Sequence, residues 1–220
     1  MAIISGLFFA AALLLLAGCG TFGPTSVDLS LPYKPDNVYL ADARLPSDLK
    51  RVAVLPMACD DRQTDLASGR ETLQPVLIAE LIKTKKFEVI EVKPEELWRL
   101  TGRQVWTSWE ELPAGFLEAL QKEYGCDAVM FCELTEYHAY PPLAVGWRLK
   151  LVDVRHRNTI WSGDENFDAG KPAVVLATRR YEHMDKWQID SETADWLAMN
   201  SPSRFGQYSI ANLLDTLPAR

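Results

Sequence analysis

Asp127 to His138 reads DAVMFCELTEYH, Val145 to Arg155 reads VGWRLKLVDVR, and Thr159 to Phe167 reads TIWSGDENF. The first run is rich in Val, Met and Phe and then alternates. The second sets Trp147, Leu149 and Leu151 against Arg148 and Lys150, and the third carries Ile160, Trp161 and Phe167. Alternation with period two, bounded by turn residues, predicts three strands. Pro141-Pro142 and His156-Arg157-Asn158 separate them. Connections this short hold no crossover, so the three strands form an antiparallel meander. Asp153, near the end of the second strand, is expected to bond turn amides before Asn158. Trp161 is expected to lay its ring on the sheet and to need a partner for its N–H.

Upstream the pattern changes. Arg51 to Met57 (RVAVLPM) reads as a short buried strand. A helix is predicted over about Ser68 to Thr84, with Ser68 and Glu71 as a capping box and Leu73, Leu77 and Leu81 as its apolar stripe. Pro75 inside that window predicts either a kink or a start near Thr72. Phe87 to Val92 alternates as a strand. Pro94 and Gly102 bracket a short helix, and another runs from about Pro113 to Tyr124 with Gly125 as its cap. The order is β-α-β-α-α-β-β-β, followed by helices near Pro172 to Tyr181 and Ser203 to Leu217. The expected class is α/β, a three-layer-like sandwich around a mixed sheet of about five strands.

At the N-terminus, an apolar run from Leu7 ends in Leu16-Ala17-Gly18-Cys19, the pattern of a bacterial lipobox. The apolar segment is about 16 residues, shorter than the ~20 of a spanning helix. The reading is a signal peptide over residues 1–18, removed to leave a lipidated Cys19. No Lys or Arg precedes the apolar core, which departs from the usual leader. Two or more acyl chains on the lipidated Cys anchor a protein stably. In the Gram-negative lipoproteins this segment resembles, Asp after the lipidated Cys retains the protein in the inner membrane. Gly20 stands here instead, so the resemblance implies the periplasmic face of the outer membrane. Residues 19–46, with Pro24, Pro32, Pro35 and Pro46, read as the lipidated Cys and a flexible tether, and residues 47–220 as one α/β domain.

The formal net charge is −7, which speaks against nucleic acid as a partner. Removing Cys19 from the count leaves three cysteines and no disulfide framework. Cys126 and Cys132 lie too far apart on one strand to pair, and Cys59 with Cys132 is the only bridge that geometry permits.

Tyr124 to Phe131 (YGCDAVMF), Leu149 to Val154 (LKLVDV) and Ile160 to Glu165 (IWSGDE) carry a resemblance. They are similar to the periplasmic lipoprotein group that includes curli-secretion, penicillin-binding-protein activator and flagellar accessory lipoproteins. They also resemble the amino-terminal domain of the Tol-system propeller protein. The resemblance covers about Arg51 to Gly170 and implies a compact α/β sandwich in the cell envelope. It carries no catalytic residues.

Signals for chemistry are weak. Asp60, Asp61 and Asp65 follow the first predicted strand, where open α/β folds place sites, but their spacing matches no calcium loop. They read as solvated carboxylates biasing the next helix. His138, His156 and His183 have no partner at zinc-ligand spacing. Ser68 and Ser162 lack a nucleophile-elbow context, and no Gly-rich phosphate loop is present. No cofactor and no metal are expected. Trp98, Trp106 and Trp109 cluster around the short helix, where core packing is the ordinary reading, and Trp106 and Trp109 are the candidates for a partner-binding anchor. The expected function is a non-catalytic accessory lipoprotein that binds an unidentified periplasmic or envelope protein. The alternatives are a channel-like subunit of a secretion or envelope complex and a metal-dependent envelope enzyme using Asp60 and Asp61.

Overall fold

Six strands form one sheet in the computed structural model of the protein, which describes residues 33–185 and 199–220. In chain order the elements are β1 (Val38–Leu40), β2 (Arg51–Val54), α1 (Thr64–Lys83), β3 (Glu88–Glu91), α2 (Pro94–Thr101), α3 (Phe116–Tyr124), β4 (Ala128–His138), β5 (Ala144–Asp153), β6 (Thr159–Asp168), α4 (Pro172–Asp185) and α5 (Pro202–Leu214). The strand order is β1-β6-β5-β4-β2-β3. β2 runs parallel to β3 and β4, and the other pairs are antiparallel. The expected α/β class and meander are present. Residues 1–32, with the signal segment and Cys19, and residues 186–198, with Trp187 and Trp196, lie outside the described residues.

The predicted tether ends too late. Val38–Leu40 form a sixth strand on the edge of the sheet, Val38 opposite Gly163 and Leu40 opposite Trp161. Leu45 is buried beside them. Prolines at 35 and 46 punctuate this segment but sit outside the three paired residues, so the edge strand tolerates them. Residues 217–220 strap the same region. Leu45 N donates to Ala219 O at 2.7 Å, Arg220 Nη1 to Leu49 O at 2.5 Å, and Lys86 Nζ to Leu217 O at 2.6 Å.

Two apolar layers separate on the two faces. One gathers Val52, Met130, Cys132, Trp147, Leu149, Leu151 and Trp161 under α1 and α5. The other gathers Ala53, Leu55, Val129, Phe131 and Val152 under α2 and α3. α1 begins at Thr64, four residues before the predicted cap at Ser68, and runs through Pro75. Leu66, Leu73, Leu77 and Leu81 are buried along it, and that packing outweighs the one ladder bond that proline removes. α3 begins at Phe116 rather than Pro113, with Gly115 in the left-handed region before it. Trp161 finds its partner, Nε1 donating to Thr216 Oγ1 at 3.1 Å.

Strict alternation fails at one place in β4. The register shifts between Leu134 and Glu136, so Thr135 is an extra residue. The bulge switches parity: Leu134 and Tyr137 both reach the α1/α5 core, and Glu136 is kept out of it.

Asp153 closes the β5–β6 turn as expected. Its Oδ1 accepts from Arg155 N and His156 N, both at 2.7 Å, and Oδ2 lies 3.3 Å from His156 Nδ1. Burial pushes this carboxyl up, but the turn donors outweigh it and hold its pKa below the ordinary value. A depressed carboxylate contributes stability above the unfolded pKa of about 3.9 and loses it as pH falls through the lower folded value. Asp153→Asn is therefore expected to cost about 1–3 kcal/mol near neutral pH, as for a charged hydrogen-bond acceptor. Urea unfolding of the two proteins from pH 7 to pH 3 checks this. The gap is expected to hold steady down to about pH 5 and to narrow below pH 4, as the unfolded carboxyl titrates.

Candidate interaction surface

On one face of the sheet, α2 and α3 cover β3, β2, β4 and the Val152 end of β5. Among the described residues, no helix lies over the continuation of that face across the outer part of β5, β6 and β1. The registers place its side chains in rows. Phe131, Lys150, Ser162 and Tyr39 make one row across four strands. Glu133, Arg148 and Asp164 make the next, and Glu136, Gly146 and Asn166 the third. The polarity follows from β5 itself, where Val152 sits under the helices and Lys150 and Arg148 do not. Arg148 ties its row together, Nε donating to Asp164 Oδ2 at 2.8 Å and Nη1 to Glu133 Oε2 at 3.3 Å. Asn166 Nδ2 donates to Glu136 Oε2.

The segment from Gly102 to Gly115 borders this open half. Trp106 anchors it and is buried at 5% exposure, which corrects the expectation of a partner-facing ring there. The indole meets Phe116 edge-on at 5.3 Å and Arg103 lies over it at 4.3 Å. Its Nε1 donates to Thr101 Oγ1 at 2.9 Å. Glu110 closes the loop by accepting from Thr107 N at 2.9 Å and Arg103 Nη2 at 3.0 Å. The Thr107 amide is the main reason its carboxyl pKa is lowered. The Ser108 carbonyl accepts from Lys150 Nζ at 3.3 Å, which pins the loop against β5. Trp109, the next residue, is 68% exposed.

Two clefts of about 330 Å³ and 360 Å³ meet at Ser108 and Lys150. Together they form a trough from Gly115 and Phe116 across Lys150 to Asn37 and Tyr39. Tyr39 is 54% exposed. Lys150 and Arg148 were legible from alternation in Val145 to Arg155, which sets them against the core residues. Tyr39 was not, because its segment reads as linker.

The carboxylate loop is occupied by its own chain. Asp60 accepts from Arg62 Nε at 2.9 Å, Arg62 Nη2 at 3.0 Å and Gln63 Nε2 at 3.3 Å. Those bonds, the Arg62 side chain first, hold its carboxyl well below the usual range. Asp61 accepts from Arg70 Nη1 at 2.6 Å and from Cys59 Sγ at 3.5 Å. Asp65 sits in the first turn of α1. Among the described residues, no group of three His, Cys, Asp or Glu is placed to hold a metal ion. A cleft of about 450 Å³ opens beside this loop, lined by Pro56, Met57, Gln74 and Pro94. Cys59, Cys126 and Cys132 are free thiols, so the bridge permitted between Cys59 and Cys132 is not formed. Burial pushes the Cys59 thiol up to about 11, which keeps it protonated at neutral pH. His156 faces Asp153, and His138 lines a hairpin cleft with Asp65. His183 lies on α4, its side chain outside the described residues. Ser68 is on α1 and Ser162 lies mid-strand in β6.

No family model matches the chain, and no curated protein matches it. Solved structures with similar architecture include the PelC dodecamer from Paraburkholderia phytofirmans, 17% identical, covering 83% of this chain and 96% of that one at a TM-score of 0.44. Lipoprotein GNA1162 from Neisseria meningitidis is 20% identical and covers 54% of this chain and 79% of its own at 0.37. The LpoB C-terminal domain from Salmonella enterica is 16% identical and covers 54% and 82% at 0.34. Likeness of this extent carries no argument about function.

Proposed function

We propose that the protein is a lipid-anchored periplasmic lipoprotein of the outer membrane, with a non-catalytic role in binding another envelope protein. The lipobox at Leu16–Cys19 supports the anchor, and Gly20 supports the outer membrane. One observation carries the binding role. The trough over β5, β6 and β1 has the exposed Tyr39 in its lining and the exposed Trp109 next in sequence to its Ser108, while Arg148 in its floor is already paired with Asp164 and with the neighbouring Glu133. A floor with satisfied charges beside exposed aromatic rings suits a protein surface better than a reacting small molecule.

A photo-crosslinking residue at Tyr39, at Trp109 or, as a control, at Glu88 on the opposite edge strand tests the reading in intact cells. The first two positions are expected to yield one shared adduct that Glu88 does not. Trp109→Ala is expected to lower the yield at Tyr39 about 10-fold or more, as for an interface hot spot of ~2 kcal/mol. No adduct at either position overturns the trough as a binding surface. A shared adduct made only of further copies of this chain turns the reading to the channel-like alternative.

A further inference from the structure

The chain enters the described fold at Tyr33. Its ring packs edge-on against Phe167 at 5.4 Å and its hydroxyl donates to Glu165 Oε1 at 2.7 Å. The Asp36 amide donates to Glu165 Oε2 at 3.1 Å. Phe167 lies opposite Val145, Asp168 lies opposite Ala144, and Ala169 N donates to Leu143 O at 2.8 Å. The entry point and the tip of the β4–β5 hairpin therefore share one end of the sheet.

That tip has an unusual composition. From Ala139 to Trp147 the sequence AYPPLAVGW carries no charged side chain. Tyr140 is 84% exposed, more than any other large apolar side chain described, and Pro141 and Pro142 are exposed beside it. A tyrosine ring with an apolar body and a polar hydroxyl is favoured where hydrocarbon meets water. The two prolines have no N–H, so burying this tip strips water from two fewer backbone donors than an ordinary turn.

Thirteen residues, and so 14 steps, separate Cys19 from Tyr33, a reach of at most about 50 Å at ~3.3–3.6 Å per residue. The far end of β4 stands a further ~35 Å away at ~3.3 Å per residue. The anchor therefore lets the entry end touch the bilayer, whereas the far end touches it only if the domain turns over on its leash. We infer that this end of the sheet rests on the lipid surface and that Tyr140, with Pro141 and Pro142, enters the headgroup layer. The inference rests on the lipid anchor at Cys19. Asp65 and His138 line the same cleft and the net charge is −7, so contact comes from the ring and the anchor and not from attraction to anionic lipid. Added salt is expected not to weaken it.

The test uses the full mature protein, labelled with 3-fluorotyrosine and reconstituted in phosphatidylethanolamine–phosphatidylglycerol vesicles with and without a gadolinium-bearing lipid. Tyr140→Phe and Tyr124→Phe assign two fluorine resonances, Tyr124 lying at the opposite end of β4. The Tyr140 resonance is expected to broaden at least threefold more than that of Tyr124. Equal broadening, or a Tyr140 signal left sharp on a protein whose intact mass includes the lipid, overturns the orientation and leaves the anchor standing. An intact mass lacking any lipid on Cys19 overturns the anchor and the orientation together.

Discussion

Trp147→Ala is expected to remove a third or more of the stability of the fold. The indole is fully buried between the sheet and α5, and its Nε1 donates to Ser209 Oγ at 2.8 Å. Deleting a buried tryptophan side chain costs about 3–5 kcal/mol, a transfer loss plus a cavity that the surroundings fill only in part. Total stabilities run to about 5–15 kcal/mol, so little margin is left. Urea unfolding followed by circular dichroism is expected to show the midpoint falling sharply, with melting about 10 °C lower or more. Ser209→Ala separates the two contributions. It leaves the ring in place and orphans the buried N–H, at about 1–3 kcal/mol. Ser209 Oγ itself donates to Gly206 O at 2.9 Å, so Trp147→Phe leaves that hydroxyl satisfied. The expected ranking is Trp147→Ala worst and the other two milder. A loss under about 1 kcal/mol for Trp147→Ala would contradict the packing described.

Gly146→Ala is the second large effect, and its sign opposes the ordinary one. Replacing Gly by Ala at a compatible position stabilises by about 0.4–1 kcal/mol through the unfolded chain. Here a Cβ would stand 2.4 Å from Thr135 Oγ1 and 2.9 Å from the Glu136 backbone nitrogen. The bulge at Thr135 brings both atoms into the space a side chain needs. Thr135 can turn its hydroxyl away, but the Glu136 nitrogen belongs to the strand. Overpacking of this kind costs about 1–3 kcal/mol, occasionally more, which exceeds the entropic gain. Gly146→Ala is expected to lower the urea midpoint and to speed amide exchange in β4 and β5 above all. The double variant Thr135→Ala, Gly146→Ala is expected to recover part of the loss, because it removes the closer contact only. A Gly146→Ala protein as stable as the parent would remove the bulge as the reason for glycine.

The sequence made the meander plain because each strand sets large apolar residues against charged ones, with turns too short to hide a crossover. It also made the Asp153 turn and the need of Trp161 for a hydrogen-bond partner readable, since both are local to one turn or one side chain. β1 was not readable. Three residues with no alternation to speak of become a strand only because β6 offers an edge, and nothing near Val38 encodes that. The bulge was hidden for a similar reason, since Glu136 and Tyr137 fit either parity until a neighbouring strand fixes it. Trp106 and Trp109 look alike in the sequence. Which ring is inside depends on Phe116 and Arg103 closing around Trp106, and composition does not carry that information.

The strap formed by residues 217–220 bears on when this body becomes whole. Ala219 and Arg220 hold Ala43, Leu45 and Leu49 across some 170 positions of sequence. Contacts so distant close late and slowly. Until residues 217–220 are in place, the stretch from Ala43 to Leu49 lacks the partners that hold it against the body.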